Sequence, residues 1–167
     1  MTETEILHWI RDTSLGEAVR HSRWIFATGE TLHFFGLSLL VGGILIVDLR
    51  LLGFIRRVPI RAALAFLPFV IVGFVINLLT GIVFFSADPM MYWPSPAFKL
   101  KMFLILLAGL NAIVFTVMAQ RKTLGLRDNE STGTLAKVTA GLSLSLWLCV
   151  LLLGRLLPAF EGSTSFF

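Results

Sequence analysis

The sequence predicts an all-α integral membrane protein, a bundle of four transmembrane helices preceded by a short N-terminal amphipathic helix. Apolar residues make up 56% of the 167 residues and only 14% are charged. The mean hydropathy is +0.86, well outside the balance of a soluble domain. Four apolar stretches are each close to the roughly 20 residues that an α-helix needs to cross a bilayer. Helices are expected because lipid offers no hydrogen bonds to the backbone.

The N-terminal segment predicts a helix on the membrane surface. Thr2 with Glu5 fits a capping box, in which side chain and backbone satisfy each other's hydrogen bonds at a helix start. The amphipathic helix is expected over residues 3–11, with its apolar side on the bilayer. Ser14 with Glu17 predicts a second helix start, and that helix is expected to continue into the first span. The segment lacks the apolar core and cleavage site of a removable signal peptide.

The four spans are predicted at about residues 24–47, 62–85, 98–119 and 138–157, within one membrane domain covering residues 1–167. Lysine and arginine are more numerous in the loops at 48–61 and 120–137 than in the segments on the opposite side. The positive-inside rule places these two loops in the cytoplasm. Both termini are therefore expected on the outer side of the membrane.

Composition and motifs exclude several classes of protein. The net charge of +4 and the pI near 9.8 come from basic residues at the ends of the spans, which indicates membrane topology and not nucleic-acid binding. The single cysteine, Cys149, lies within the last span, so intrachain disulfides and thiolate metal clusters are excluded. The chain has no nucleophile triad, phosphate-binding glycine loop or zinc-hydrolase motif. No catalytic residue is assigned.

Glycines recur along the first two spans at helical spacing. Gly29, Gly36 and Gly43 are seven residues apart and share nearly one face, while Gly73 and Gly81 flank a polar residue in the second span. Such stripes let another helix backbone approach closely. The interpretation as helix packing and the interpretation as a surface for a flat ligand, such as a porphyrin, both fit the spacing.

Polar side chains of the spans are expected to converge in the outer half of the bundle. His33 and Glu30 are the only histidine and the only carboxylate of the first predicted span, and ionisable groups in hydrocarbon are functional candidates by default. A rise of about 1.5 Å per residue places His33 and Asn77 in one layer, with Glu30 and Thr80 about one turn nearer the outer surface. Lys101 and Arg155 are expected close to the rim. The candidate binding residues are His33, Glu30, Asn77, Thr80, Lys101 and Arg155.

Three interpretations of this layer are open. It can be a satisfied hydrogen-bond network that only fixes the packing of the helices. It can be a haem b site in which His33 ligates the iron and basic residues at the rim meet the propionates. It can also be a copper site that uses His33 with Met90 or Met91, or a proton relay between Glu30 and His33.

Two segments carry a family resemblance, Glu30–Gly43 and Pro96–Ala112. They resemble a family of small, uncharacterised bacterial membrane proteins with four helices. The architecture is more distantly similar to the copper-resistance D-type proteins and to b561-like cytochromes, which hold haem b between histidines. The resemblance implies the bacterial inner membrane, with periplasmic termini, and His33 as an axial ligand.

The function expected from the sequence is that of a b-type haem electron-transfer protein in the membrane, exchanging electrons with quinone or a periplasmic partner. For the haem protein, a homodimer through the glycine stripe would place two copies of His33 at equal depth. One alternative is a non-catalytic accessory subunit that docks through its glycine stripe and Phe166–Phe167 into a larger complex. Another is a small transporter that handles metal ions or protons through Glu30 and His33. Nucleic acid is not an expected partner.

Overall fold

The computed structural model describes residues 2–126 and 130–160, with side chains as far as residue 155. These residues are helical and include no strand, and four helices are long and apolar enough to cross a membrane. The predicted fold class is confirmed, including the short N-terminal helix. Phe166 and Phe167, which the accessory-subunit interpretation uses, lie outside the described residues.

The helices follow one another in an up-and-down order. In chain order they are α1 Glu3–Arg11, α2 Ser14–His21, α3 Arg23–Leu52, α4 Ile60–Leu64, α5 Leu67–Ala87, α6 Pro89–Tyr92, α7 Pro96–Val114, a π-helix Phe115–Ala119, α8 Gln120–Leu124 and α9 Thr134–Phe160. The candidate spans cover Arg23–Leu52, Ile60–Ala87, Pro96–Leu124 and Thr134–Arg155. The helix of the first span thus continues past residue 47, and Asp48 lies within it.

Capping residues set the ends of the first helices. Thr2 forms the predicted capping box with Glu5. The predicted box of Ser14 and Glu17 is wrong, because Thr13 is the N-cap of α2 and accepts a hydrogen bond from the Gly16 amide. The expectation of a continuous helix into the first span is also wrong. Ser22 adopts an extended backbone, and its side chain caps the separate helix α3.

The bundle is built from two closely packed helix pairs. α3 packs most extensively on α5 and α7 on α9, and contacts between α3 and α9 join the two pairs. A Cβ atom at Gly73 would lie 2.6 Å from both the Gly36 carbonyl oxygen and the Leu40 nitrogen, so here the backbones of α3 and α5 touch. Gly43 faces Val70 in the same interface. The glycine stripe is therefore covered by α5, which leaves it no surface for a porphyrin or another subunit.

The two ends of the bundle differ. At one end, here called the cap end, α1, α2 and α6 lie against the spans, and the Trp93 indole donates a hydrogen bond to the Glu3 carboxylate. At the other, the basic end, lie the connection 53–59 and the described residues 125–126 and 130–133. A buried apolar cluster fills the basic end and includes Leu51, Ile60, Phe115 and Ala140. The Thr132 hydroxyl donates to the Leu51 carbonyl and ties the start of α9 to the end of α3.

Gly73→Ala is expected to destabilise the bundle, because the added methyl group meets the α3 backbone at 2.6 Å. Overpacking of this kind costs about 1–3 kcal/mol. Gly81→Ala is the matched control on the same helix, since a Cβ there has no neighbour within 4 Å. Thermal unfolding of the detergent-solubilised variants gives the comparison, and equal midpoints for the two would contradict the backbone contact.

Candidate functional site

His33 is held by a hydrogen bond between α3 and α5. Its Nδ1 lies 2.7 Å from the Thr80 hydroxyl oxygen, and its ring is 5.6 Å from the ring of Phe84. The Thr80 hydroxyl donates to the Ile76 carbonyl at 2.7 Å, so its oxygen accepts a hydrogen bond from Nδ1–H. This arrangement fixes the Nδ1–H tautomer of the neutral ring. Nε2 is then the nitrogen with a free lone pair.

The structure brings only some of the other predicted residues to His33. Asn77 lies one turn from Thr80, but its amide donates to the Gly73 carbonyl of its own helix at 2.8 Å, and its Oδ1 is buried without a hydrogen-bond partner. Lys101 is half-buried on α7 and interacts electrostatically with His33. Glu30 and Arg155 are exposed on the surface of the bundle. The layer therefore consists of His33, Thr80, Asn77 and Lys101.

The described part of the chain offers few ligands for a metal. It contains no group of three or more histidine, cysteine, aspartate and glutamate residues placed to hold an ion. His33 supplies one nitrogen, through Nε2, and the glycine faces beside it are occupied by α5. His21, which is the nearest other histidine in sequence, is exposed at the end of α2. These residues fit a haem only as a single axial ligand.

Asp48 is a functional candidate that sequence reasoning missed. The sequence prediction places it at the start of the loop 48–61, yet it lies in α3 and is 6% exposed, and its Oδ2 has no hydrogen-bond partner among the described residues. The signal was present in the apolar residues Ile44, Val47 and Leu51, which continue the helical period past it. Gly53, whose φ is +93°, is the glycine that ends the helix.

Asp48 borders a cavity of about 290 Å³ between the four spans. The walls are mostly aliphatic and aromatic side chains from α3, α5, α7, the π-helix and α9. Its polar lining residues are Asp48, Asn111, Thr139 and Ser143. An apolar cavity with a few converging polar groups is the usual form of a small-molecule site.

Neighbouring helices position the polar groups around Asp48. The Asn111 amide donates to the Thr139 carbonyl at 2.9 Å, which ties α7 to α9 beside the cavity. The Thr139 hydroxyl back-bonds to Leu135 at 3.0 Å, and the Ser143 side chain interacts with the Asp48 carboxyl. The carboxylate is therefore incompletely satisfied by protein groups. Burial of such a group is costly unless a further partner reaches it.

The π-helix lies at the same place. It begins at Phe115, which lines the cavity, one turn after Asn111. Its hydrogen bonds run from residue i to i+5, so this turn is wider than an α-helical one. Such segments are frequent at functional sites. The π-helix and the Asp48 Oδ2 without a hydrogen-bond partner therefore both lie at this cavity.

Thr80→Val is expected to change the tautomer of His33, because valine has no oxygen to accept a hydrogen bond from Nδ1–H. Nitrogen-15 NMR of the histidine-labelled protein should show a neutral ring protonated at Nδ1 in the unchanged chain and a shift of the proton towards Nε2 in the variant. Thr31→Val is the control, since this exposed hydroxyl bonds only to the Ala27 carbonyl. An Nε2–H ring in the unchanged chain would contradict the assignment.

Comparison with known proteins gives a family and no function. Residues 6–160 match the model of a family of unknown function, DUF6644. Neither the curated proteins nor the solved structures contain a match to the chain. The more distant likeness to copper-resistance D-type proteins and b561-like cytochromes finds no support in these comparisons. Because the match covers nearly the whole chain, this four-span membrane protein belongs to the DUF6644 family.

Proposed function

We propose that the protein binds a positively charged ligand within the membrane, with the Asp48 carboxylate as its anchor. The observation that carries this proposal is the buried Asp48 Oδ2 without a hydrogen-bond partner at the edge of the cavity. An ionisable group in a span is a functional candidate, and it needs a partner of opposite charge or a proton. The proposal keeps one alternative from the sequence, a protein that handles cations, and moves its site from Glu30 and His33 to Asp48.

The lining of the cavity supports a cationic ligand. Asp48 is the one charged residue of that lining, and Asn111, Thr139 and Ser143 contribute neutral amide and hydroxyl groups. The carboxylate and the neutral oxygens around it all accept hydrogen bonds. Such a site suits a cation with several N–H donors or a dehydrated ion. No lysine, arginine or histidine side chain borders the cavity to compensate the charge.

Labelling with a lipid-soluble carbodiimide tests the anchor, because this reagent modifies carboxylic acids that lie in apolar surroundings. We expect the modification at Asp48 in the protein embedded in vesicles, identified by peptide mass spectrometry. Excess sodium, potassium or ammonium ions should reduce it when the ion occupies the site. Asp48→Asn removes the label from this peptide and serves as the control for its position.

Carbodiimide labelling of Glu17, an exposed carboxylate outside the spans, is the internal control for labelling of Asp48. The modification of Glu17 should be independent of the cation supplied. An unlabelled Asp48, or labelling that neither these ions nor an organic ammonium ion reduces, would contradict the proposal.

Haem binding at His33 is a second candidate, and one observation favours it. Histidines that bind metals commonly direct their other ring nitrogen to a hydrogen-bond acceptor, as His33 does towards Thr80. His33 Nε2 would be the ligand, with Lys101 as the neighbouring positive charge. A bound haem b would supply one-electron redox chemistry, with quinone or a periplasmic protein as the electron partner.

An optical spectrum of the purified protein tests haem binding. On reduction with dithionite, a b-type haem should sharpen the α and β bands, and His33→Ala should abolish the spectrum because it removes the ligand. His21→Ala, at an exposed position, should leave the spectrum unchanged. A featureless spectrum from cells with sufficient haem would rule this candidate out.

A further inference from the structure

We infer that the ligand of the Asp48 cavity is a lipid-soluble amine, with an ammonium head on a small apolar body, and that it enters sideways from the bilayer between α5 and α7. The inference rests on the proposed function and adds the ligand class and the route. It follows from where the cavity is closed, where it is open, and how its polar groups are distributed.

Water at the basic end cannot reach the cavity directly. Val47, Leu51, Phe115 and Ala140 line the cavity and also belong to the buried apolar cluster that fills this end. Leu51 is 2% exposed and Ala140 is 1% exposed. The cluster thus forms an apolar floor between the cavity and the residues 53–59, 125–126 and 130–133 of the basic end. Entry of an inorganic ion from this side would require the cluster to open.

The cavity is also closed towards the cap end. Phe74 of α5 meets Trp147 of α9 edge to face, with ring centroids 6.2 Å apart, and both rings line the cavity. Nearer the cap end, the rings of Phe85 and Phe98 stack at 5.5 Å and join α5 to α7. Together these contacts close the bundle above the cavity.

The side between α5 and α7 is open. These helices do not form one of the extensively packed pairs of the bundle, and they face each other across the cavity. The lining residues Ile71, Gly109 and Ala112 are also exposed on the outer surface, with Ile71 at 62%. In a bilayer this surface meets the acyl chains. A ligand that enters here travels through lipid, so it must be lipid-soluble.

The order of polarity inside the cavity matches an amphiphile lying in the leaflet. Asp48 lies about one turn from the end of α3, near the depth of the headgroups, and Thr139 lies in the second turn of α9. Phe74 and Trp147 lie deeper. An amphiphile in this leaflet has its charged head towards the basic end and its apolar part towards the bilayer centre. It can therefore enter the cavity in the orientation that it already has in the bilayer. The volume of about 290 Å³ is near the lower limit of small-molecule sites, which suits one ring or a short chain.

Trp147 provides a direct probe of occupancy. Replacing the other tryptophans, Trp9, Trp24 and Trp93, by phenylalanine leaves Trp147 as the only indole of the full chain. The protein is placed in nanodiscs of phosphatidylcholine, which carries no net charge, and titrated with para-bromophenethylamine. Bromine quenches indole fluorescence on contact. The neutral comparison is para-bromophenethyl alcohol, which matches the amine in size and lacks its charge.

We expect saturable quenching by the amine and at least about tenfold weaker binding of the alcohol, because a charge-assisted hydrogen bond is lost. Asp48→Asn should raise the apparent Kd of the amine by a similar factor, and Glu17→Gln should not change it. Ser143→Ala, with Ser145→Ala as its exposed control on the same helix, gives a smaller increase and serves if Asp48→Asn does not fold.

The route is tested by the rate of quenching. Ala112→Phe narrows the opening between α5 and α7 from the exposed side and should slow association severalfold. Ile113→Phe adds the same ring at the next position, which is 60% exposed and does not line the cavity, and should leave the rate unchanged. Equal rates for the two variants would overturn lateral entry.

Equal binding of amine and alcohol, or an unchanged Kd in Asp48→Asn, would overturn the ligand class. If inorganic cations protect Asp48 from the carbodiimide and the amine does not bind, this inference fails while the proposed function stands. If neither inorganic cations nor the amine respond to Asp48, both fail.

Discussion

The backbone contact between α3 and α5 is the constraint on which the bundle depends. Lipid gives helices no hydrophobic reason to associate, so close packing at small residues must supply the attraction. Gly36 and Gly73 let the two backbones touch, and Gly43 extends the contact along α3. With one face of α3 committed to α5, α3 packs on α9 as its second long helix, and α7 joins through α9. The space between α5 and α7 follows from this order of packing.

Polar residues in the spans fall into two physical groups. Most hydroxyls donate to a carbonyl one turn earlier in their own helix, as Thr31, Ser38, Thr116 and Ser145 do, and so need no partner elsewhere. A carboxylate only accepts hydrogen bonds, and the carbonyls of a helix offer it none. Asp48 is therefore dependent on groups from outside its own helix. A hydroxyl in a span can thus be satisfied within its own helix, whereas a carboxylate needs a donor from another helix or from a ligand.

The fold was predictable from the sequence because hydropathy reports directly whether a segment can lie in lipid. The depth of the polar layer was predictable only to within about one turn: the helical rise pairs His33 with Asn77, whereas the structure gives His33 a hydrogen bond to Thr80, one turn along α5. The helical rise predicts how deep a residue lies in the membrane, but not which way its side chain faces. The direction depends on how the helices pack. Glu30 lies one turn from His33 yet is exposed, for this reason. Asp48 was missed because net charge in a short window outweighed the apolar period that continues past it.

The π-helix of Phe115–Ala119 has a consequence for how the length of the third span can vary. In a regular α-helix, one inserted residue turns everything that follows by about 100° and exchanges buried for lipid-facing positions. A π turn contains one residue more than an α turn, so losing a residue there restores the ordinary helix and preserves both flanking registers. After such a loss, Asn111 before the π-helix and α8 after it would keep their present neighbours. The third span can thus lose one residue at this point without repacking the bundle.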